Sequence, residues 1–192
     1  MTLRVTQYGE AVLREKGEAI TTFDDSLDAL AQEMLATMYE EGGIGLAAQQ
    51  IGEAIQLCVV DLGEGAQNTG EALLDGKEVP PPLLMPLVLV NPEILYPEPL
   101  ELEVVEEGCL SLYQVRGDVP RPSEIGVTYQ DLEGVQHTLS CEGLFSRCIQ
   151  HEVDHLNGIL FIDRMEKADF AKIRGKVRRL KKKAGRQLKA SS

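Results

Sequence analysis

The stretch Gln150-His151-Glu152-Val153-Asp154-His155-Leu156-Asn157-Gly158 sets two histidines four residues apart, with a glutamate beside the first. On a helix, positions i and i+4 share one face about one turn apart. Both imidazoles then reach one metal ion, and Glu152 reaches a water held by that ion. Leu144, Cys148 and Ile149 lead into the stretch at spacings that embed it in a core. The pattern predicts a helix over about 142–157 that stops at Gly158. The remaining histidine, His137, falls in a predicted strand without ligand spacing and is read as structural.

Outward from this helix, Leu27, Leu30, Met34, Leu35 and Met38 recur at three- and four-residue steps and predict an amphipathic helix over about 24–41. Asp24 or Asp25 suits its N-cap, and Gly42-Gly43 ends it. Strands are expected at 55–62, 87–90, 100–106, 125–130 and 135–139, with a hairpin turn at 131–134. Residues 63–82 are polar, Gly-rich and end in prolines, which reads as a loop long enough to be functional or poorly ordered. A last helix is expected over about 167–188, with Ile173, Val177 and Leu180 as a thin stripe. Helix, then mostly strands, then helices implies an α+β domain: antiparallel or mixed strands around a central metal-binding helix, with a C-terminal helix.

At 192 residues, with 43% hydrophobic and 26% charged side chains, the chain has ordinary globular composition. The longest uncharged stretch, residues 79–92, has 14 residues, five of them proline, too short and too broken to span a bilayer. No signal or transit pattern is visible, so a cytoplasmic location is expected. Cys58, Cys109, Cys141 and Cys148 form no C-x-x-C pair and are read as buried small residues or ligands. The formal net charge of −12 argues against general nucleic-acid affinity, and DNA is not expected as a partner. That average hides a split. Residues 1–166 carry 8 basic and 30 acidic side chains, whereas 167–192 carry 11 basic and one acidic. The expected division is therefore a catalytic body, 1–166, and a basic helical tail, 167–192.

A catalytic metal of this kind takes three protein ligands and keeps one position open. No histidine lies downstream of His155, and Asp163, Glu166 and Asp169 stand in no motif. Upstream, Glu107-Gly108-Cys109-Leu110-Ser111 offers a thiolate beside a glycine that lets the backbone approach closely. Read alone, Cys109 is more readily a small buried residue than a ligand. Gly43-Ile44-Gly45-Leu46-Ala47-Ala48-Gln49-Gln50 suits a backbone that pairs with an extended ligand before entering a packed element. It lacks the lysine and third glycine of phosphate or dinucleotide loops. Asp154 is open between orienting an imidazole and being a surface charge.

Taken together, GIGLAAQQ, EGCLS and QHEVDHLNG, in this order and at these separations, resemble the three motifs of peptide deformylases over roughly residues 1–165. The resemblance implies removal of the formyl group from N-formylmethionyl nascent peptides, with release of formate. It implies Cys109, His151 and His155 as ligands of one divalent metal, typically Fe2+, with Zn2+, Ni2+ or Co2+ also accepted. Glu152 matches the catalytic acid/base; Gln50, through its side-chain amide, and Leu110, through its N–H, match the oxyanion donors. Gly43, Ile44, Gly45, Glu107, Arg116, Leu144 and Cys148 match positions that line the methionine pocket and peptide groove. Two features depart from the family pattern: Leu112-Tyr113-Gln114 stands where many members have a proline, and the 63–82 loop is longer than in compact members.

A zinc endopeptidase built on the same helix, and a structural metal site in a binding module, are the competing readings. The first lacks its downstream ligand and the second a fourth Cys or His. For the basic tail, contact with ribosomal RNA near the nascent chain and a merely solvated helix both stand. A membrane role is disfavoured, because the apolar stripe is narrow.

Overall fold

Asp24 has extended backbone, and its carboxylate accepts hydrogen bonds from the Ser26 and Leu27 N–H groups, which starts helix α1 (Asp25–Glu40). The helix buries Leu27, Ala31, Met34, Leu35 and Met38 on one face and ends as Gly42 enters the left-handed region at φ 68°. The computed structural model describes residues 2–191, with the side chains of Asn68 and residues 187–191 excepted.

Beyond α1 lie strands β1 (Gly45–Ala47), β2 (Leu57–Val60), β3 (Ala72–Leu74), β4 (Lys77–Val79), β5 (Leu87–Leu95), β6 (Leu102–Gly108), β7 (Arg116–Pro122), β8 (Glu124–Gln130) and β9 (Gln136–Glu142). Helices α2 (Gly143–Leu156), α3 (Phe161–Arg164) and α4 (Lys167–Ser191) complete the chain. Seven strands form one sheet in the order β1-β2-β5-β8-β9-β3-β4, and β6 and β7 form a separate ribbon. All recorded strand pairings are antiparallel. This is the expected α+β architecture.

Strand alternation divides the core. Leu57, Val59 and Val90 face α1, together with Met34 and Met38. Cys58, Val60, Leu87 and Leu89 face the other way, against Phe145, Ile149, Val153 and Leu156 of α2. The metal-binding candidate helix is thus gripped by the sheet along one side. A third cluster joins Val119 of β7, Leu160 and Phe161 to Val177, with Ile173 and Leu180 packed on it. The stripe of α4 is therefore spent on the body.

Three departures from the sequence expectation have physical causes. Residues 63–82 are not a featureless loop. Asp75 and Gly76 both take positive φ, 51° and 77°, which closes the β3–β4 hairpin that extends the sheet beyond β9. Strand β5 runs past Asn91-Pro92 because a register shift there absorbs the proline. The Asn91 side chain bonds both backbone groups of Ile20. Strand β7 carries no strand signal in its sequence, because it contains Pro120 and Pro122, residues tolerated only where a strand edge needs no donor.

Candidate metal centre

Helix α2 carries His151 and His155 one turn apart, with ring centroids 5.1 Å apart. The β6–β7 ribbon closes its register at Gly108 opposite Arg116, and the next residue, Cys109, is thereby delivered over the helix. Cys109 Sγ lies 3.2 Å from His155 Nε2. The ligand atoms of Cys109, His151 and His155 all fall within 4.8 Å of one another. One thiol and two imidazoles at this separation form a donor set suited to a borderline divalent ion. His155 Nδ1 has no hydrogen-bond partner among the described residues.

The two rings have different electrostatic surroundings. Burial and the neighbouring His151 push His155 well below the ordinary histidine range, so it is a neutral donor. Burial also opposes charge on His151, but Cys109 and Glu107 outweigh it and raise that pKa. Glu107 Oε2 sits 2.9 Å from His151 Nδ1. In the neutral ring, a carboxylate there keeps the proton on Nδ1 and leaves Nε2 as the lone pair that faces a metal. Burial would raise the Glu107 pKa, but His151 and Arg121 overcome it and hold the group at about 2.

Glu152 follows His151 on the helix and is 3% exposed. Its Oε2 has no hydrogen-bond partner among the described residues, and burial pushes its pKa up to about 7. A carboxyl so poised accepts and returns a proton near neutral pH. Gly45 makes room for it, because a Cβ there would overlap Glu152 Oε1 and come 2.9 Å from Cys148 Sγ. Gln50 accepts the Ala47 N–H through Oε1 at 2.8 Å. That bond turns its amide nitrogen to Cys109 Sγ, 3.6 Å away, and Ser111 Oγ, 3.4 Å away.

A cavity of about 490 Å³ opens above these groups. Gly43, Ile44 and Gly45 border it on the β1 side, Leu110 and Arg116 on the ribbon side, and Leu144 and Cys148 on the helix side. Cys109, His151, Glu152 and Gln50 also line it, whereas His155 is 1% exposed and stands behind the wall. Tyr113 and Gln114 occupy the rim where the family pattern has proline, and Tyr113 is well exposed. Arg116 donates to Glu106 at 2.7 Å. Burial raises the Cys148 pKa well above the ordinary range, and its thiol donates to the Ile44 carbonyl. All four cysteines are free thiols, as expected.

Two acidic residues have partners that the sequence does not show. Glu107 borders the cavity, but its carboxylate turns inward, to Arg121, Arg147 and His151. Asp154 is neither an imidazole partner nor a surface charge: it is buried and paired with Arg121 and Arg164. Sequence reasoning passed over Arg121 and Arg147. The available signal was their rarity, two of only eight basic residues in the first 166. His137, read as structural, bonds Asp75 and Asp131 far from these ligands in the hairpin region.

Comparison with known proteins places this geometry in company. The family model described as polypeptide deformylase matches residues 2–171. Over 182 residues the chain is 57% identical to the peptide deformylase of Opitutus terrae, covering 95% of this chain and 94% of that one. The crystal structure of the peptide deformylase from Thermotoga maritima aligns with a TM-score of 0.73 at 37% identity, over 86% of this chain and 99% of that one. The Synechococcus elongatus peptide deformylase in complex with actinonin aligns with a TM-score of 0.74 at 39% identity, over 95% and 86% of the two chains.

Proposed function

Since the chain belongs to the polypeptide deformylase family, metal-dependent enzymes that remove the formyl group from the N-terminal methionine of new polypeptides, we propose how its own residues perform that hydrolysis. Cys109, His151 and His155 hold the metal, and Fe2+ is the ion we assign, with Zn2+, Ni2+ or Co2+ as alternatives the donor set accepts. The convergence of their ligand atoms within 4.8 Å, beside a buried carboxyl with an unpartnered oxygen, is the observation that carries this reading. Bound there, a divalent ion supplies a strong nucleophile from water near neutral pH and polarises a carbonyl.

Glu152 takes the proton from the attacking water and later gives it to the leaving amine; a pKa near 7 suits both directions. The Gln50 amide and the Leu110 N–H donate to the oxygen that becomes negative at the formyl carbon. Formamide resonance makes the uncatalysed reaction slow, so these donors matter most as that resonance is lost. The substrate methionine enters the apolar side of the cavity, by Ile44, Leu144 and Cys148, where an unbranched thioether fits. Gly43, Gly45, Arg116 and the backbone at Glu107 flank the peptide. A formyl group, with only a hydrogen on its carbon, fits where an acetyl methyl group clashes.

The body, 1–166, is the catalytic part of this proposal, and 167–192 is a basic tail that docks on ribosomal RNA. In support, Ile173, Val177 and Leu180 of α4 face the body, whereas Arg178, Arg179, Lys181, Lys182, Lys183 and Arg186 are all exposed. The apolar stripe is not free for a lipid surface, and no helix among the described residues is long and apolar enough to cross a membrane. The location that goes with this reading is the cytoplasm, where nascent chains carrying a formyl group would be met. Anaerobic purification with metal analysis, coupled to formate release from formyl-Met peptides, tests the assignment. One equivalent of iron with rapid formate release is expected; metal-loaded protein without formate release contradicts it.

A further inference from the structure

Glu107 does not meet His151 as a free side chain. The Arg121 guanidinium grips both its oxygens, Nε to Oε1 at 2.6 Å and Nη2 to Oε2 at 3.1 Å. Arg147 adds a third donor to Oε1 at 2.8 Å. A fork on both oxygens fixes the plane of a carboxylate, which a single donor does not. With those positions taken, Oε2 is aimed at His151 Nδ1. Arg121 is itself fixed at its third nitrogen, because Nη1 donates to Asp154 Oδ2 at 2.7 Å. Arg164, in turn, straps Asp154 through Nη2 to Oδ1 at 2.6 Å and Nε to Oδ2 at 3.2 Å.

A file of alternating charges thus runs from the partly exposed Arg164 through Asp154, Arg121 and Glu107 to the ring of His151. The side chains of Asp154, Arg121 and Glu107 are no more than 8% exposed. Stability alone is a weak reason to bury such groups, since well-packed apolar residues often serve as well or better. What the file has that an apolar core lacks is direction, because its inner end converges on one imidazole nitrogen.

We propose that Arg121 and Asp154 are positioning residues: acting through Glu107, they fix the ring of His151 and set how firmly, and in what geometry, the Cys109–His151–His155 group holds its metal. This rests on the assignment of those three residues as ligands. Neither residue touches substrate or metal. Their influence is on the ligand's orientation, and it weakens outward, so Arg164 matters less than Asp154.

The test uses the full chain loaded with Co2+, whose visible spectrum reports ligand geometry, and measures Co2+ loss to excess chelator. Asp154→Asn keeps size while removing charge, and Arg121→Lys keeps charge while removing the fork. Both are expected to shift the visible bands and to speed metal loss about 10- to 100-fold, the range typical of partners that orient ligands, with an unchanged far-ultraviolet circular dichroism spectrum. Arg164→Met should move both readouts less. Folded Asp154→Asn and Arg121→Lys proteins with the wild-type spectrum and loss rate would overturn the proposal. The ligand assignment fails differently: Cys109→Ala would then bind Co2+ with the wild-type spectrum.

Discussion

Gly45 of β1 lies directly against the carboxylate of Glu152, which occupies the space a side chain at Gly45 would claim. That contact joins the first motif to the third. It keeps Glu152 dry, which is why burial lifts its pKa to about 7. Gly45→Ala should therefore displace the carboxyl while leaving the three ligands in place. Overpacking of this kind costs about 1–3 kcal/mol. The expected result is a sharply lower kcat with one metal still bound per chain. Turnover equal to wild type would show that the contact is incidental.

The four cysteines should separate cleanly. Cys109 alone stands with two imidazoles, whereas Cys58, Cys141 and Cys148 belong to the apolar cluster under α2. Cys109→Ala is expected to purify without metal, and each of the other three alanine variants to retain it, measured by elemental analysis. Thiolate and ferrous ion both oxidise, so the iron form should also lose activity in air. Full occupancy in Cys109→Ala would reopen the endopeptidase reading.

His137 of β9 clasps the β3–β4 hairpin through Asp75 and also meets Asp131 of the β8–β9 turn. Bonding to Asp75, against a smaller opposing effect of burial, raises its pKa above 6.5. A raised histidine contributes stability that is fully present below its unfolded value and is lost as pH rises through the folded one. Asp75 is lowered by the same bond, so its contribution is present above its unfolded value near 3.8 and is lost as pH falls through the folded one. The clasp is thus tightest between those limits. Asp75→Asn should bring the His137 pKa, followed by proton NMR, back toward 6.5; an unmoved titration would contradict the pairing.

Much of this was legible in the chain. Helix α1 announced itself by cap and period, and α2 by the spacing of its histidines, because both signals are local. The hairpin at 131–134 was equally local, with Asp131 accepting the Gly134 and Val135 N–H groups. The β3–β4 hairpin carried its signal too, in Asp75-Gly76, but that signal was submerged in a Gly-rich segment. Strand β7 gave none, since two prolines contradict strand propensity. The candidate ligands were readable, whereas their support was not. Arg121 meets Asp154 across 33 positions of sequence and Glu107 meets His151 across 44, so only folding reveals either pair.

Charge on α4 gives a further outcome. Replacing Arg178, Arg179, Lys182 and Lys183 by glutamine leaves Val177 and Leu180 on the body, so the helix should stay docked. Co-sedimentation with ribosomes is expected to fall steeply, while hydrolysis of a short formyl-Met peptide is unchanged. Wild-type binding should weaken as salt rises, because phosphate contacts release counterions. Equal co-sedimentation of both proteins at low salt would remove the tail from the account.

The claim that binds the others is that Cys109, His151 and His155 hold the metal while Glu152 moves the proton. Glu152→Gln separates the two roles, since it keeps the shape of the side chain and touches no ligand. Metal content and formate release from a formyl-Met peptide should be measured on the same preparation. A full equivalent of metal with kcat reduced by about 10²–10⁴, the usual worth of a general acid–base residue, is the predicted result; near-wild-type turnover in the metal-loaded variant would contradict it.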